Sequence, residues 1–399
     1  MTHTESVPSV APDVASASGS AATAGRRLAV PTLLKSRCAL IGIAVLAYVL
    51  IVWAPGALGA FRLNNLGRYC ALALPAMGIG LAWGRGGMLV MGQGVFFGIG
   101  GYAMAMHMKL EAAGPGKVPD FMQLYGDGTM PSWWEPFRSG AFTLVAIVVI
   151  PAVVAYLLGV AILKRRVKGA YLAILTQALA VAFATLLIAT IKQTGGFNGL
   201  NTFTTFFGNN LYNPEVKENI YRITAGLVVL FLLVLWQLYR SRYGELLVAT
   251  RDAEERIRFL GYDPANIKLV AFVLAAVMAS IGGAMFVPIA GIISPTNVDA
   301  AASVLMIAGV ALGGRSSLFG PVLGAIAVGY GRSTLSEQYP QRWVYFQGAL
   351  FILVILLLPN GVASLGSIGR AVRSKVVSLR PSRAPVTDLA PSDTQEALA

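Results

Sequence analysis

Charge is scarce in this chain. Only 12% of its 399 residues are Asp, Glu, Lys or Arg, while 56% are hydrophobic. An ordinary soluble domain carries roughly 25% charged residues, so a soluble globule is excluded. Several apolar runs approach or exceed the roughly 20 residues that cross a bilayer as a helix. They run without alternation, which favours helices over a closed barrel. Cysteine is scarcer still. Cys38 and Cys70 are the two present, too few for a disulfide framework or a multi-cysteine metal site. Histidine is limited to His3 and His107. His107 falls near the end of an apolar run and reads as an interfacial residue rather than a ligand. No GxxxxGK[ST] loop and no HExxH pattern occurs, so the chain lacks the usual phosphate cradle and the usual zinc-protease helix. With no catalytic constellation, it does not read as an enzyme and implies no cofactor.

Apolar periodicity and length predict an all-α, polytopic membrane protein with about ten spans. They fall near 39–58, 69–84, 94–109, 141–162, 169–191, 221–239, 268–291, 299–312, 318–331 and 343–358. These spans hold no Asp or Glu except Asp299, at the edge of the eighth. Proton-driven machines usually place ionisable groups inside the membrane, so proton-coupled transport is disfavoured, while a sodium-coupled transporter stays open. Placing both termini in the cytoplasm puts 21 of the 31 Lys and Arg on the cytoplasmic side, as the positive-inside rule expects. Cys38 and Cys70 then lie at opposite membrane faces and should not pair. The net charge of +13 follows from these flanking residues, and aromatic interleaving is absent from the basic clusters, so nucleic acid is not an expected partner. Residues 1–36 and 366–399 read as polar cytoplasmic tails, the first disordered, around a membrane domain at 37–365.

Glycine and neutral polar residues take the place of charge within the spans. The run MGQGVFFGIGGYAMAM (91–106) brings five glycines close together. They suit either close helix packing or a broken helix lining a cavity. Gln93, Thr176 and Gln177 are neutral hydrogen-bonding residues in or beside spans; they suit a small neutral solute or contacts between helices. Trp133 and Trp134, in an outer loop, suit an interfacial anchor or an external docking point.

One densely charged island interrupts the apolar chain. Residues 240–268, RSRYGELLVATRDAEERIRFLGYDPANIK, hold six basic and five acidic residues. Leu246, Ala249, Ala253, Ile257 and Leu260 recur at spacings of three and four, which predicts one apolar helix stripe. Asp252 with Arg256 and Glu254 with Arg258 are spaced for i,i+4 pairs. Gly261 suits the position just past a helix end, with Pro264 following. Such a helix, on the cytoplasmic side between two spans, needs a partner outside the membrane.

Several blocks then resemble the membrane subunits of branched-chain amino-acid and urea ABC importers: MGQGVFFGIGGYAMAM, RVKGAYLAILTQALA (166–180), TGGFNGL (194–200), the island itself, ISP (293–295), GGRSSLFGPVLGA (313–325) and LLPNGV (357–362). They stand in the expected order from about residue 65 to 365. The resemblance implies a permease in a bacterial cytoplasmic membrane, paired with a second, related permease. Two cytoplasmic ATP-binding subunits would drive it and an extracytoplasmic binding protein would deliver solute. It further implies that Arg251, Asp252, Glu254 and Gly261 lie at the ATPase contact. The stretch departs from the Glu-Ala-Ala start that this loop shows in other ABC importers. Gln93, Thr176, Gln177 and Asn198 are candidate path-lining residues. The long outer segment PDFMQLYGDGTMPSWWEPF and the GQGVF motif point to the urea branch; branched-chain amino acids or short amides are the alternative solutes. A passive small-solute channel is the rival of a different class, and a membrane-embedded enzyme a third.

Overall fold

The computed structural model describes residues 32–339, apart from 166 and 168, together with 345, 348 and 349. The predicted tails and the tenth predicted span, 343–358, lie largely or wholly outside the described residues. The chain divides into two compact units, 1–44 and 45–399. The first contains the opening turns of α1 (Thr32–Tyr48). In the second, a π-helical stretch, Val49–Trp53, leads to α2 (Ala54–Ala57), then α3 (Ala60–Ile79), α4 (Gln93–Ala113) and α5 (Asp120–Tyr125). The long helices α6 (Gly140–Leu163) and α7 (Ala170–Ala189) and the short α8 (Ile191–Thr194) follow. Next come α9 (Pro214–Arg240), α10 (Arg242–Asp252), α11 (Glu254–Phe259), α12 (Pro264–Ala290), α13 (Ala300–Gly313) and α14 (Gly320–Gln338).

Seven helical stretches are long and apolar enough to cross a membrane: Arg37–Ala57, Ala60–Arg85, Gly140–Leu163, Ala170–Ala189, Pro214–Arg240, Pro264–Ala290 and Pro295–Gly313. Among the described residues this corrects the expected count of ten. The predicted spans at 94–109 and 318–331 are helices, α4 and α14, but are not among the seven. For α4 the reason is its position. Seventeen of its 21 residues are buried, so it is sheathed by other helices and can carry Gln93, His107 and Lys109. The outer helices show the opposite pattern. In α9 the buried residues Ile220, Tyr221, Thr224, Ala225, Val228, Leu232 and Leu235 fall at helical spacing, while Ile223, Leu230 and Leu233 are exposed. An apolar surface of this extent suits lipid.

Helix starts follow ordinary capping chemistry. Asn213 accepts from Glu215 N before Pro214 opens α9, and Asp263 accepts from Ala265 N before Pro264 opens α12. Asp299, the carboxylate at a predicted span edge, accepts from Ala300 N at 2.6 Å and caps α13. The core forms where α12 packs on α4, α3 and α6. Glycine makes that approach possible. A Cβ at Gly283 would lie 1.9 Å from the Phe97 carbonyl oxygen, and one at Gly100 would lie 2.0 Å from that of Ser280. Close packing is thus what these glycines provide.

Four two-residue strands depart from the all-α expectation. β1 (Leu200–Asn201) pairs antiparallel with β4 (Ile292–Ile293). β2 (Thr205–Phe206) pairs with β3 (Asn209–Asn210) across a turn in which Phe207 (φ 47°) and Gly208 (φ 80°) are both left-handed, as a two-residue hairpin requires.

Candidate functional site

The chain breaks at the heart of the bundle. After α3 the backbone widens into a π-helical stretch, Gly80–Arg85, and α4 begins only at Gln93. π-Turns recur at functional sites. The irregular stretch is pinned by side chains. Met91 N donates to Thr176 Oγ1 at 3.1 Å, and Gly94 N donates to Ser303 Oγ at 3.0 Å. Thr176 Oγ1 in turn donates to the Leu172 carbonyl at 2.9 Å. Between these anchors Gln93 is fully buried, and neither Oε1 nor Nε2 has a hydrogen-bond partner among the described residues. The surroundings are tight: a Cβ at Gly92 would lie 2.2 Å from Thr176 O, and one at Gly94 would lie 2.1 Å from Val298 O. A carboxamide in this state offers one donor and one acceptor direction to a neutral polar group.

Of the four predicted path residues, the structure brings Gln93 and Thr176 together at the break. Gln177 is half-buried beside Thr176. Asn198 sits in the loop after α8, where its Nδ2 donates to Tyr125 Oη at 3.3 Å. Ser303 belongs with Gln93 and Thr176 yet lacked a sequence signal, because a lone serine in an apolar helix carries no pattern. An unsatisfied buried amide costs about 1–3 kcal/mol. Gln93→Leu should therefore hold or raise thermal stability in detergent while slowing solute passage. A clear loss of stability would show that the amide is satisfied.

The far end of α4 anchors the loops that follow it. His107 is buried, and its Nδ1 lies 2.8 Å from the Phe137 carbonyl oxygen, with the Phe207 ring 4.8 Å away. It is therefore a packed residue, not the interfacial one expected. Buried Lys109 donates to Asp120 at 3.1 Å, and Glu111 Oε1 accepts from Gly208 N at 2.6 Å. The tryptophan pair divides: Trp134 is buried, Trp133 is 52% exposed, and their rings lie 4.1 Å apart.

The charged island forms two helices rather than one. α10 and α11 meet at Ala253 (φ −149°, ψ 64°). The break splits the expected stripe. α10 buries Gly244, Leu247 and Thr250, whereas Leu260 is 67% exposed. The expected Asp252–Arg256 pair gives way to Arg251 Nε–Asp252 Oδ1 at 2.7 Å. That hydrogen bond holds the Asp252 carboxyl below its ordinary pKa, so the pair stays charged at neutral pH and is lost only in acid. The Glu254–Arg258 pair forms at 3.4 Å, and Glu254 also takes Lys268 at 2.9 Å. Gly261 (φ 87°) ends α11 as expected. Its N–H donates to Arg258 O, and Tyr262 N–H donates to Ile257 O, a complete Schellman closure. Tyr243 donates to Ile267 O at 2.7 Å, and burial raises its phenol to about 12, so it remains a donor.

Arg251 also links the island to the central break. Its Nη1 donates to the Gly84 carbonyl at 2.6 Å. Its stem lies against Gly87 (φ 68°), where a Cβ would come within 2.6 Å of Arg251 Cγ. Gly84 meets another loop as well, since a Cβ there would lie 1.8 Å from Arg315 O. Facing away from these contacts, Phe259 and Tyr262 are exposed beside Leu260. Among the described residues no His, Cys, Asp and Glu cluster could hold a metal.

A bundle of apolar helices around a broken, polar-pinned central helix defines a multi-pass membrane protein of the transporter class. More narrowly, residues 61–355 match the family described as branched-chain amino acid transport system, permease component, and the chain belongs to that family. It is similar to the high-affinity branched-chain amino acid transport system permease protein LivM of Salmonella typhimurium and to that of Escherichia coli. Each is 29% identical over 309 residues, which is 72% of this chain and 66% of the relative. The chain thus spans slightly less than two thirds of those relatives. It is also similar to the fructose import permease protein FrcC of Rhizobium meliloti, 26% identical over 172 residues, covering 41% of this chain and 46% of that one. No solved structure matches. The relatives are permease subunits, transport components rather than enzymes.

Proposed function

We propose that this chain is one permease subunit of an ATP-driven importer in a bacterial cytoplasmic membrane. Its partners are a second, related permease, two cytoplasmic ATP-binding subunits and an extracytoplasmic solute-binding protein. The observation that carries this reading is the island at 240–268, braced through Arg251 against the break before α4, in a chain without its own phosphate loop. In this reading residues 37–365 form the permease domain, the flanking tails are cytoplasmic, and the 244–262 segment receives the ATPase stroke. Arg251, Asp252 and Glu254 hold the segment to the bundle, Gly261 closes it, and exposed Phe259, Leu260 and Tyr262 meet the ATPase. Gln93, Thr176 and Gln177 line the closed passage, and Asn198 lies at its outer approach.

The names of the LivM relatives favour a branched-chain amino acid as solute. Urea is the second reading, favoured by the orphaned Gln93 amide and the GQGVF motif. Reconstitution of the whole complex in proteoliposomes tests both levels. ATP-dependent uptake of labelled leucine, or of labelled urea, identifies the solute. Downhill flux through this chain alone, indifferent to ATP, would identify a passive channel and overturn the importer reading.

A further inference from the structure

A cavity of about 770 Å³ lies between α3, α13 and α14, within the range of small-molecule sites. Its two ends differ. Asn65 and Arg68 on α3 and Arg332, Ser333 and Ser336 on α14 line one part; Leu72, Leu305, Met306, Ala325 and Val328 line another. Tyr69 Oη and Ser333 Oγ are hydrogen-bonded, and Gly329 lets the Tyr69 ring lie against α14. This contact sets the register between α3 and α14. Along α3 the lining passes from Arg68 to Leu72, and along α14 from Val328 to Arg332, so both helices turn polar toward the same end. Arg68 Nε is buried and has no hydrogen-bond partner among the described residues. Two guanidinium groups line the polar end, and no carboxylate occurs among the described lining residues.

An arginine inside a helical bundle is costly and generally faces a functional partner. A guanidinium presents a planar fork of donors that matches an oxyanion, and the apolar end accepts a hydrocarbon. We propose that this cavity is a binding site for the carboxylate of a small aliphatic acid, with Arg68 and Arg332 on the oxyanion and Leu72, Met306 and Val328 around the alkyl body. A zwitterionic aliphatic amino acid satisfies this chemistry, and urea does not.

Ser336 lines the polar end and supplies a reporter. The full chain, assembled with its partner subunits in phosphatidylcholine nanodiscs, carries Ser336→Cys in a Cys38→Ser background; Cys70 is fully buried and stays silent. The rate of maleimide labelling is measured with isocaproate and with its neutral amide. Millimolar isocaproate is expected to slow labelling about threefold or more, the amide not at all, and Arg68→Gln should abolish the protection. Should Arg68→Gln fail to assemble, Arg332→Gln serves the same purpose. Equal protection by the amide, no protection by isocaproate, or protection that survives loss of the guanidinium would each overturn the proposal. So would protection by phosphatidylglycerol to which isocaproate adds nothing, since the oxyanion would then be a lipid phosphate. The probe pair does not depend on which solute is imported; ATP-driven uptake without protection would remove the cavity site and leave the importer reading standing.

Discussion

Arg251→Ala should cut ATP-driven uptake by the assembled importer by roughly tenfold or more, while the complex still forms and still hydrolyses ATP. The expectation follows from where the guanidinium goes. It donates to the Gly84 carbonyl at 2.6 Å and to Asp252 at 2.7 Å, and its stem covers Gly87. A charged donor on a partly buried carbonyl contributes about 1.5–3 kcal/mol. Alanine removes that bond and the packing of the stem together. The segment that receives the stroke then loses its grip on the stretch that leads into Gln93, so hydrolysis continues without moving the passage. Asp252→Asn should do far less, since the exposed carboxylate orients Arg251 without touching the break. Uptake per ATP equal to the parent in Arg251→Ala would rule out this contact as the link.

Gly283→Val should prevent stable folding. A single Cβ at this position would lie 1.9 Å from the Phe97 carbonyl oxygen and 2.7 Å from its carbon. Backbone cannot swing aside as a side-chain tip can, so α4 and α12 must part along their contact. Overpacking typically costs about 1–3 kcal/mol, occasionally more; alanine belongs in that range and valine beyond it. Gly226→Ala is the control, because nothing lies within 4 Å of its added Cβ; removing a helical glycine there should be neutral or stabilising by about 0.5–1 kcal/mol. Thermal unfolding in detergent separates these cases. A Gly283→Val protein as stable as the parent would mean that the α4–α12 contact is looser than the geometry implies.

The long apolar helices were readable because lipid imposes one demand on every exposed position. α4 was readable as a segment from its glycines, but its inner position was not, since that depends on which helices surround it. Arg68 and Arg332 escaped notice for a small reason. The predicted spans began at 69 and ended at 331, one residue short of each, while the helices run on through both. The impression that the bundle lacks charge came from those boundaries, and with it part of the case for urea. The island was legible as charged and capped at Gly261, but spacing alone could not reveal the break at Ala253, where the backbone turns to bring Arg251 against Gly84. Two-residue strands such as β1 and β4 leave no periodicity to read at all.

Those two short strands have a mechanical consequence. Leu200 and Ile293 stand opposite each other in the β1–β4 ladder, stapling the loop beyond α8 to the end of α12. Gly199, directly before the staple, fits so closely that a Cβ would lie 2.1 Å from Ile293 O. Segments some ninety residues apart in sequence therefore travel as one rigid piece. Any rocking of the bundle has to hinge elsewhere, and the irregular stretch between Arg85 and Gln93, held by single side-chain hydrogen bonds, is the softer joint.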